Sequence, residues 1–307
     1  MVKERIGIKE LGQEVAQEIG KRIPKAIVEV REIIKNNSLI LHGLTIMDKS
    51  KETNIAPTIY LDNFFQQYLN DEVTVEEIVE RVIEMNEMHQ PEIPFHIELI
   101  TKFENVRNNL RIKLVNTKQN EEMLKDVPHK EILDLSAIYQ ITVCMDDDSV
   151  GTVTISNLIF ENYGITVDEL HEAAIENMKN IEPAQIKGMF QTMAELMGEE
   201  MGELPLDMLG GEEENMLVIT NKSKVCGASV ILQKETLQKI ADIFKQDYYI
   251  LPSSIHEALA VKTDGNGDAS VLRDMVKEVN DTQVAQEELL SYNVYFYSTE
   301  TGKLSIA

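Results

Sequence analysis

The feature that most constrains the fold is the repeated change of hydrophobic period along the chain. The segment VTVEEIVERVIEMNEMH (73–89) places apolar residues three and four positions apart, which predicts a helix. The segment LSAIYQITVCM (135–145) is rich in β-branched and aromatic residues, which predicts a strand. Such patterns are interleaved over 307 residues without regular strand-helix-strand repeats or glycine fingerprints. We therefore expect an α+β protein with mixed sheets, flanking helices and two lobes.

The first part of the chain predicts helices around a β-hairpin. Residues 9–35 carry an apolar stripe at helical spacing, so we expect a helix that breaks or restarts at Pro24. SLILHGLTIM (38–47) and APTIYLDNFF (56–65) predict the two strands of the hairpin. Thr74 and Glu77 form a capping-box pair, which marks the start of the helix in residues 73–89.

The remainder predicts a mixture of strands and helices. Thr166 and Glu169 form a second capping pair and start a helix. Strands are expected at NLRIKLV (109–115), at 135–145 with GTVTISNLIF (151–160) pairing back, and at MLVIT (216–220), GASVIL (227–232) and YYIL (248–251). Further helices are expected at residues 235–246 and 269–290, followed by a hairpin turned at residues 299–302.

Charge is distributed unevenly along the chain, whose net charge is −24. Residues 1–115 contain 15 basic and 19 acidic side chains, whereas residues 116–307 contain 14 and 34. We therefore expect an N-terminal lobe, 1–115, and a strongly acidic C-terminal lobe, 116–307. An acidic excess repels phosphates, so binding of nucleic acid through a basic face is disfavoured. It suits a solubilising surface, a basic protein partner, or imitation of nucleic-acid charge.

The N-terminal sequence and the cysteines lead us to expect a cytoplasmic protein. The N-terminal residues alternate charged and apolar side chains, unlike a signal peptide, and no window is apolar enough for a membrane span. Cys144 and Cys226 lie far apart without CxxC spacing. We expect both to be buried thiols and not to form a disulfide or a metal site.

The stretch LPSSIHEALAV (251–261) concentrates reactive side chains. Ser254 and Glu257 have capping-box spacing, so either a helix begins here or a strand resumes at ALAVK (258–262). We favour a structural cap. The alternative is a hydrolase-like site centred on Ser253, His256 and Glu257, although the chain contains no GxSxG motif.

Metal, calcium and phosphate templates are each incomplete. His171-Glu172 and His256-Glu257 begin like HExxH but lack the second histidine. The loop that starts at Asp264 lacks the glycine and the bidentate glutamate of a calcium-binding loop, and Asp146–Asp148 read as a solvated turn. No GxxxxGK[ST] motif is present. We expect neither a metal nor any other cofactor.

Residues 182–215 differ from their surroundings in composition. Met189, Met193, Met197 and Met201 recur every four residues among glycines and glutamates. Glycines weaken a helix, and methionine faces adapt to varied partners. Either the segment is an insertion whose methionines pack on the core, or these methionines form a partner-binding face.

Four motifs carry a family resemblance: APTIYLDNFFQQY, LSAIYQITV, MLVITNKSKVCGASVIL and, most distinctively, YYILPSSIHE. Over residues 10–300 the chain resembles an uncharacterised bacterial family met among accessory genes of integrative and conjugative elements in gut anaerobes. Ser229 replaces the more usual alanine. The resemblance implies a cytoplasmic protein of mobile-element origin and assigns no catalytic residue. We expect a non-enzymatic protein-interaction function, with the hydrolase and the acidic mimic as alternatives.

Overall fold

The computed structural model describes residues 6–48, 56–89, 100–145, 150–197, 215–263, 265 and 269–307. The chain divides into two compact units, Met1–Ile97 and Glu98–Ala307. The division thus falls earlier than the boundary after residue 115 that the charge distribution suggests. Each unit combines antiparallel strands with helices, which confirms the expected α+β class.

The first unit is a three-stranded sheet with helices. Its elements are α1 (Ile8–Arg22), β1 (Ala26–Ile34), β2 (Ile40–Asp48), β3 (Thr58–Tyr60), α2 (Asp62–Leu69) and α3 (Val75–Met88). The strand order is β1-β2-β3, all antiparallel. Leu11, Val15 and Ile19 of α1 pack with Leu44 of β2 and Ile78 of α3 in a buried apolar cluster. The expected β2–β3 hairpin is therefore present, and the second half of the APTIYLDNFF segment is helical.

The predicted helix over residues 9–35 is correct only as far as Arg22. Pro24 follows the last helical turn, and the chain then forms β1, which pairs along its whole length with β2. The sequence AIVEVREII is rich in β-branched residues, which fit a pleated sheet better than a helix. Asn37 takes a left-handed conformation (φ 58°) in the connection between the two strands. The apolar residues of 26–34 have helical spacing but lie on a strand, because pairing with β2 outweighs the local hydrophobic period.

The second unit begins with a four-stranded antiparallel sheet. Its elements are α4 (Phe103–Val106), β4 (Leu110–Asn116), α5 (Glu121–Leu124), β5 (His129–Ile132), β6 (Leu135–Met145), β7 (Val150–Thr154), α6 (Asn157–Phe160) and α7 (Val167–Ile181). The long strand β6 pairs with β4 on one edge and with β5 and β7 on the other. The ladder between β6 and β7 shifts register between Thr142 and Cys144. The predicted strands at 109–115 and 135–145 are confirmed. The segment 151–160 pairs back only as far as Thr154, because Asn157–Phe160 forms α6.

The rest of the unit forms a six-stranded antiparallel sheet of order β13-β12-β10-β11-β9-β8. Its elements are β8 (Ala184–Gly188), α8 (Met189–Met197), β9 (Met216–Asn221), a 3₁₀ helix (Gly227–Leu232), α9 (Lys234–Phe244), β10 (Tyr248–Leu251), β11 (Ala258–Lys262), α10 (Ser270–Thr282), β12 (Tyr295–Ser298) and β13 (Lys303–Ile306). Helix α10 contributes Val276 to an apolar cluster with Tyr249, Leu251 and Val294. The predicted C-terminal hairpin and the strands at 216–220 and 248–251 are confirmed.

Two further predictions are wrong. The segment GASVIL forms a buried 3₁₀ helix instead of a strand, because Cys226 before it is left-handed (φ 53°) and the Ser229 hydroxyl donates to the Cys226 carbonyl at 2.8 Å. The helix expected over 269–290 ends at Thr282. There Asn280 Nδ2 donates to the carbonyl of Ser291 at 2.9 Å, which fixes the returning chain against the last helical turn.

Candidate functional site

The residues of the LPSSIHE stretch lie in the connection between β10 and β11, and that connection is not helical. The chain there runs extended beside residues 288–291: Leu290 N–H donates to the Ser253 carbonyl at 2.9 Å, and Ile255 N–H donates to the Glu288 carbonyl at 2.8 Å. Ser254 pairs with Leu289 in an isolated antiparallel bridge. The capping-box interpretation is therefore wrong, and the alternative of a strand resuming at 258–262 is correct.

Ser254 nevertheless orders the backbone. Its Oγ accepts the N–H of His256, two residues on, at 3.0 Å, which is a local serine turn. Glu257 is exposed. Within the part of the chain that the structure describes, no hydrogen bond joins the side chains of Ser253, His256 and Glu257. The structure thus places these three residues in one connection without assembling them as nucleophile, base and orienting acid.

His256 is committed to a structural contact. The backbone N–H of Cys226 donates to His256 Nδ1 at 3.3 Å, so Nδ1 carries a lone pair and the neutral ring holds its proton on Nε2. Nε2 lies 3.8 Å from Glu288 Oε1, beyond hydrogen-bond distance, and the His256 side chain is 31% exposed. Burial raises the pKa of the Cys226 thiol, which disfavours a thiolate nucleophile beside this imidazole.

The distinctive YYILPSSIHE motif and the VCG motif pack on one another. Thr220 Oγ1 donates to the His256 carbonyl at 2.8 Å. A Cβ on Gly227 would lie 2.4 Å from the same carbonyl oxygen and 2.1 Å from Thr220 Oγ1. Only glycine allows this approach, so these motifs have a structural explanation.

A buried ion pair lies beside the turn that precedes Cys226, and its two residues were not among those predicted from the sequence. Arg111 of β4 and Glu182, which follows α7, are 4% and 5% exposed and contact each other at 3.3 Å. The same Arg111 nitrogen, Nη2, also donates to the Val225 carbonyl at 3.1 Å and to Ser223 Oγ at 3.4 Å. Glu182 Oε2 accepts the Ser223 N–H at 3.1 Å. The available sequence signal was a pair of basic residues, Arg111 and Lys113, alternating with apolar residues in the strand LRIKLV.

A second polar contact lies between β6 and α7. Tyr139 OH and His171 Nδ1 are 3.1 Å apart. Burial lowers the pKa of His171, and the Lys130 charge lowers it further. The interaction accounts for His171 without a metal, and no group of three metal-ligating side chains occurs among the described residues. Asp146–Asp148, predicted to form a solvated turn, and most of the loop that starts at Asp264 lie outside the described residues.

The methionine segment is described in part. Helix α8 directly follows β8 and is joined to it by an ion pair between Lys187 Nζ and Glu195 Oε2 at 2.6 Å. Met189 is half-buried and Met193 is 45% exposed. Met201 and the side chain of Met197 lie outside the described residues.

A second exposed apolar surface lies on α10. Val271, Met275 and Val279 recur every four residues along one face and are 69%, 45% and 38% exposed. Asp274 and Glu278 are exposed beside them. We refer to Val271, Met275 and Val279 as the α10 stripe. Its spacing is visible in the sequence, but the same spacing is expected of a buried helix face, so exposure had to come from the structure.

These features define an α+β protein in which LPSSIHE, the stretch richest in reactive side chains, orders a turn. The second unit exposes apolar side chains beside carboxylates. The chain belongs to a family of unknown function, DUF5688, whose sequence pattern matches residues 8–299. No curated protein and no solved structure matches it. Within the described ranges, none of the helices has both the length and the apolar character needed to cross a membrane.

Proposed function

We propose that the protein is a non-enzymatic binding protein whose second unit docks on a basic protein partner. The observation that carries the proposal is the α10 stripe, an exposed apolar row with Asp274 and Glu278 exposed beside it. Exposed apolar side chains at helical spacing favour contact with another protein, and interfaces combine an apolar centre with a charged rim. Met193 of α8 is a further exposed apolar side chain of the same unit.

The sign of the partner's charge follows from the distribution of acidic residues. The second unit, residues 98–307, contains 36 acidic and 18 basic side chains, and this negative charge attracts a basic surface and accelerates its encounter with the unit. The proposal places the protein in the cytoplasm as an accessory protein of a bacterial mobile element, and this part depends on the family resemblance of the sequence. Imitation of nucleic acid is one form of the same proposal, in which the basic partner binds DNA.

The hydrolase alternative receives less support from the geometry. His256 Nδ1 already accepts a backbone N–H, and its Nε2 faces the carboxylate of Glu288 instead of a serine hydroxyl. General-base catalysis requires a ring nitrogen within hydrogen-bond distance of the nucleophile.

Affinity purification from the native host tests the proposal. We expect a basic protein to be retained by the wild type and lost on Met275→Ser or Met193→Ser, because each change removes an exposed apolar contact without adding charge. Leu158→Ser is the matched control, since Leu158 is 77% exposed on α6, outside both surfaces. The captured protein, purified, should bind more weakly as salt rises. Identical captures by all four proteins, or binding that is indifferent to salt, would contradict the proposal.

A further inference from the structure

Strand β1 has one edge without a partner strand in the part of the chain that the structure describes. The strand pairs with β2 along all nine of its residues, Ala26–Ile34, without a bulge. It contains neither proline nor glycine. Proteins usually interrupt or cover an edge of this kind, because its backbone groups pair readily with another strand. The second edge of β1 is therefore suited to strand pairing.

The hydrogen bonds of the sheet show which backbone groups face this edge. The carbonyl of His42 in β2 accepts the Leu61 N–H at 2.9 Å, on the side of β2 that faces away from β1. Glu32, which lies opposite His42, therefore belongs to a pair that is not hydrogen-bonded. Such pairs alternate with hydrogen-bonded ones along an antiparallel ladder. The N–H and C=O groups that point away from β2 thus include those of Val28, Val30 and Glu32.

The outer face of β1 carries a self-complementary pattern of side chains. Val30 packs in the apolar cluster with α1, so the residues on either side of it face the opposite surface of the sheet. In chain order, that surface carries Ile27, Glu29, Arg31 and Ile33. The side chains of Glu29 and Arg31 are 45% and 71% exposed. The order apolar, negative, positive, apolar reads as its own complement when the strand is reversed.

We propose that the protein forms a two-fold symmetric dimer in which β1 pairs antiparallel with β1 of a second copy, centred on Val30. In this register Val30 exchanges two backbone hydrogen bonds with Val30 of the copy, and Val28 does the same with Glu32. Each Glu29 then lies opposite Arg31 of the copy. Each Ile27, which is 39% exposed, lies opposite Ile33 of the copy.

Charge determines both the occupant and the register. Sliding the copy by two residues in either direction keeps the backbone pairing possible but places Glu29 opposite Glu29 or Arg31 opposite Arg31. Pairing centred on Val30 instead gives two opposite-charge pairs, which stabilise a ladder. A second copy of this chain therefore fits the edge. The strand belongs to the first unit, so the inference does not depend on the binding function proposed for the second.

The test is analytical ultracentrifugation of the full chain over a range of concentrations. We expect the wild type to dimerise, and Glu29→Arg and Arg31→Glu each to weaken dimerisation about tenfold or more, because each places like charges opposite one another twice. Glu84→Arg makes the same change of charge at an exposed position of α3 and should leave the dimer intact. Circular dichroism checks that each variant is folded.

Mixing the two single variants makes the test specific for this register. In a heterodimer of Glu29→Arg with Arg31→Glu, arginine again faces glutamate at both positions, so the mixture should dimerise although neither variant does so alone. The double variant that carries both changes should dimerise by itself for the same reason. No other arrangement of the two chains explains recovery in both cases.

Amide hydrogen exchange identifies the strand that is used. The N–H groups of Val28, Val30 and Glu32 should exchange more slowly as the protein concentration rises, because they become bonded only in the dimer. The proposal is overturned if the single variants dimerise like the wild type or if their mixture stays monomeric. It is also overturned if the wild type is monomeric at every concentration, which would leave the edge to a strand of another protein.

Discussion

At the scale of single residues, Gly227 shows how tightly two sequence motifs are fitted together. Its position faces the Thr220 hydroxyl, the His256 carbonyl and the Asn221 N–H, all closer than a methyl group allows. The preceding Cys226 is left-handed, and its N–H is the donor to His256. A side chain at position 227 would therefore separate the 3₁₀ helix from the β10–β11 connection.

We predict that Gly227→Ala destabilises the protein by about 2 kcal/mol or more, because the added Cβ cannot be accommodated without moving backbone. The measurement is the shift in urea denaturation. Gly20→Ala in α1 is the control, since nothing lies within 4 Å of its added Cβ and alanine favours a helix. A Gly227→Ala protein as stable as the wild type would show that the turn is not closely packed.

Individual site residues were predictable only where local sequence determines their contacts. Ser254 orders its own turn, and its importance was visible in the sequence, although a helix cap was expected. The partner of His256 is the N–H of Cys226, 30 positions away, and the partner of Arg111 is Glu182, 71 positions away. Spacing within a motif carries no information about such pairs.

At the scale of secondary-structure elements, helix starts were the most predictable features. Thr74 and Thr166 each accept the N–H of the third residue of their helix, and Glu77 and Glu169 accept the threonine N–H in return. These contacts are entirely local, so sequence alone determines them. The strand β1 and the 3₁₀ helix Gly227–Leu232 depend on pairing and packing with distant segments, and both were predicted as the wrong element.

Helix α7 also carries a pH-dependent contribution to stability through His171. Burial lowers its pKa in the folded state below the ordinary 6.5, so the unfolded chain binds a proton first as the pH falls. The stabilisation is complete above about pH 6.5 and is lost as the pH falls through the lower folded-state pKa. The Glu169 carboxyl, whose pKa is lowered by the Thr166 N–H, responds only below about 4.5.

We therefore predict that wild-type stability falls more steeply between pH 7 and pH 5 than that of His171→Gln, which keeps an acceptor for the Tyr139 hydroxyl but does not titrate. Urea denaturation at a series of pH values measures the difference. Parallel pH profiles for the two proteins would rule out a buried neutral His171 as the source of the dependence.

At the scale of the whole molecule, Asp134 connects the two sheets of the second unit. It lies in the turn between β5 and β6, where its Oδ1 accepts the Tyr295 hydroxyl at 2.6 Å and its Oδ2 accepts Ser291 Oγ at 2.6 Å and Asn293 Nδ2 at 2.9 Å. Tyr295 and Ser291 are fully buried. Burial and the Asp134 charge raise the pKa of Tyr295, so its hydroxyl remains a donor.

We predict that Asp134→Ala lowers the free energy of unfolding by about 3 kcal/mol, because it leaves buried hydroxyl groups without an acceptor. Asp134→Asn should cost less, since its amide oxygen can still accept from Tyr295. Chemical denaturation followed by near-ultraviolet circular dichroism, which reports on buried tyrosines, gives the comparison. If Asp134→Ala lowered the free energy of unfolding no more than Asp134→Asn does, Asp134 would not hold the two sheets together.

The α+β class was predictable because it depends on the period of the hydrophobic pattern in each segment. The arrangement of strands was not, since β10 pairs with β11 and β12 on opposite edges and β9 lies beyond β11. Those neighbours are chosen by side-chain packing across the sheet, which a single sequence does not encode as a local pattern. Likewise, the exposure of the α10 stripe follows from how α10 lies against Tyr249 and Val294.

The pairing of β8 with β9 has an evolutionary consequence. Gly188 and Leu217 are opposite one another in this antiparallel ladder, so the two strands are adjacent although those residues are 29 positions apart in the sequence. The cost of closing a connection rises only slowly with its length. Relatives can therefore differ in the length and sequence of residues 190–215 while the pairing of β8 with β9 stays intact. We expect differences in binding specificity within the family to be concentrated in this segment.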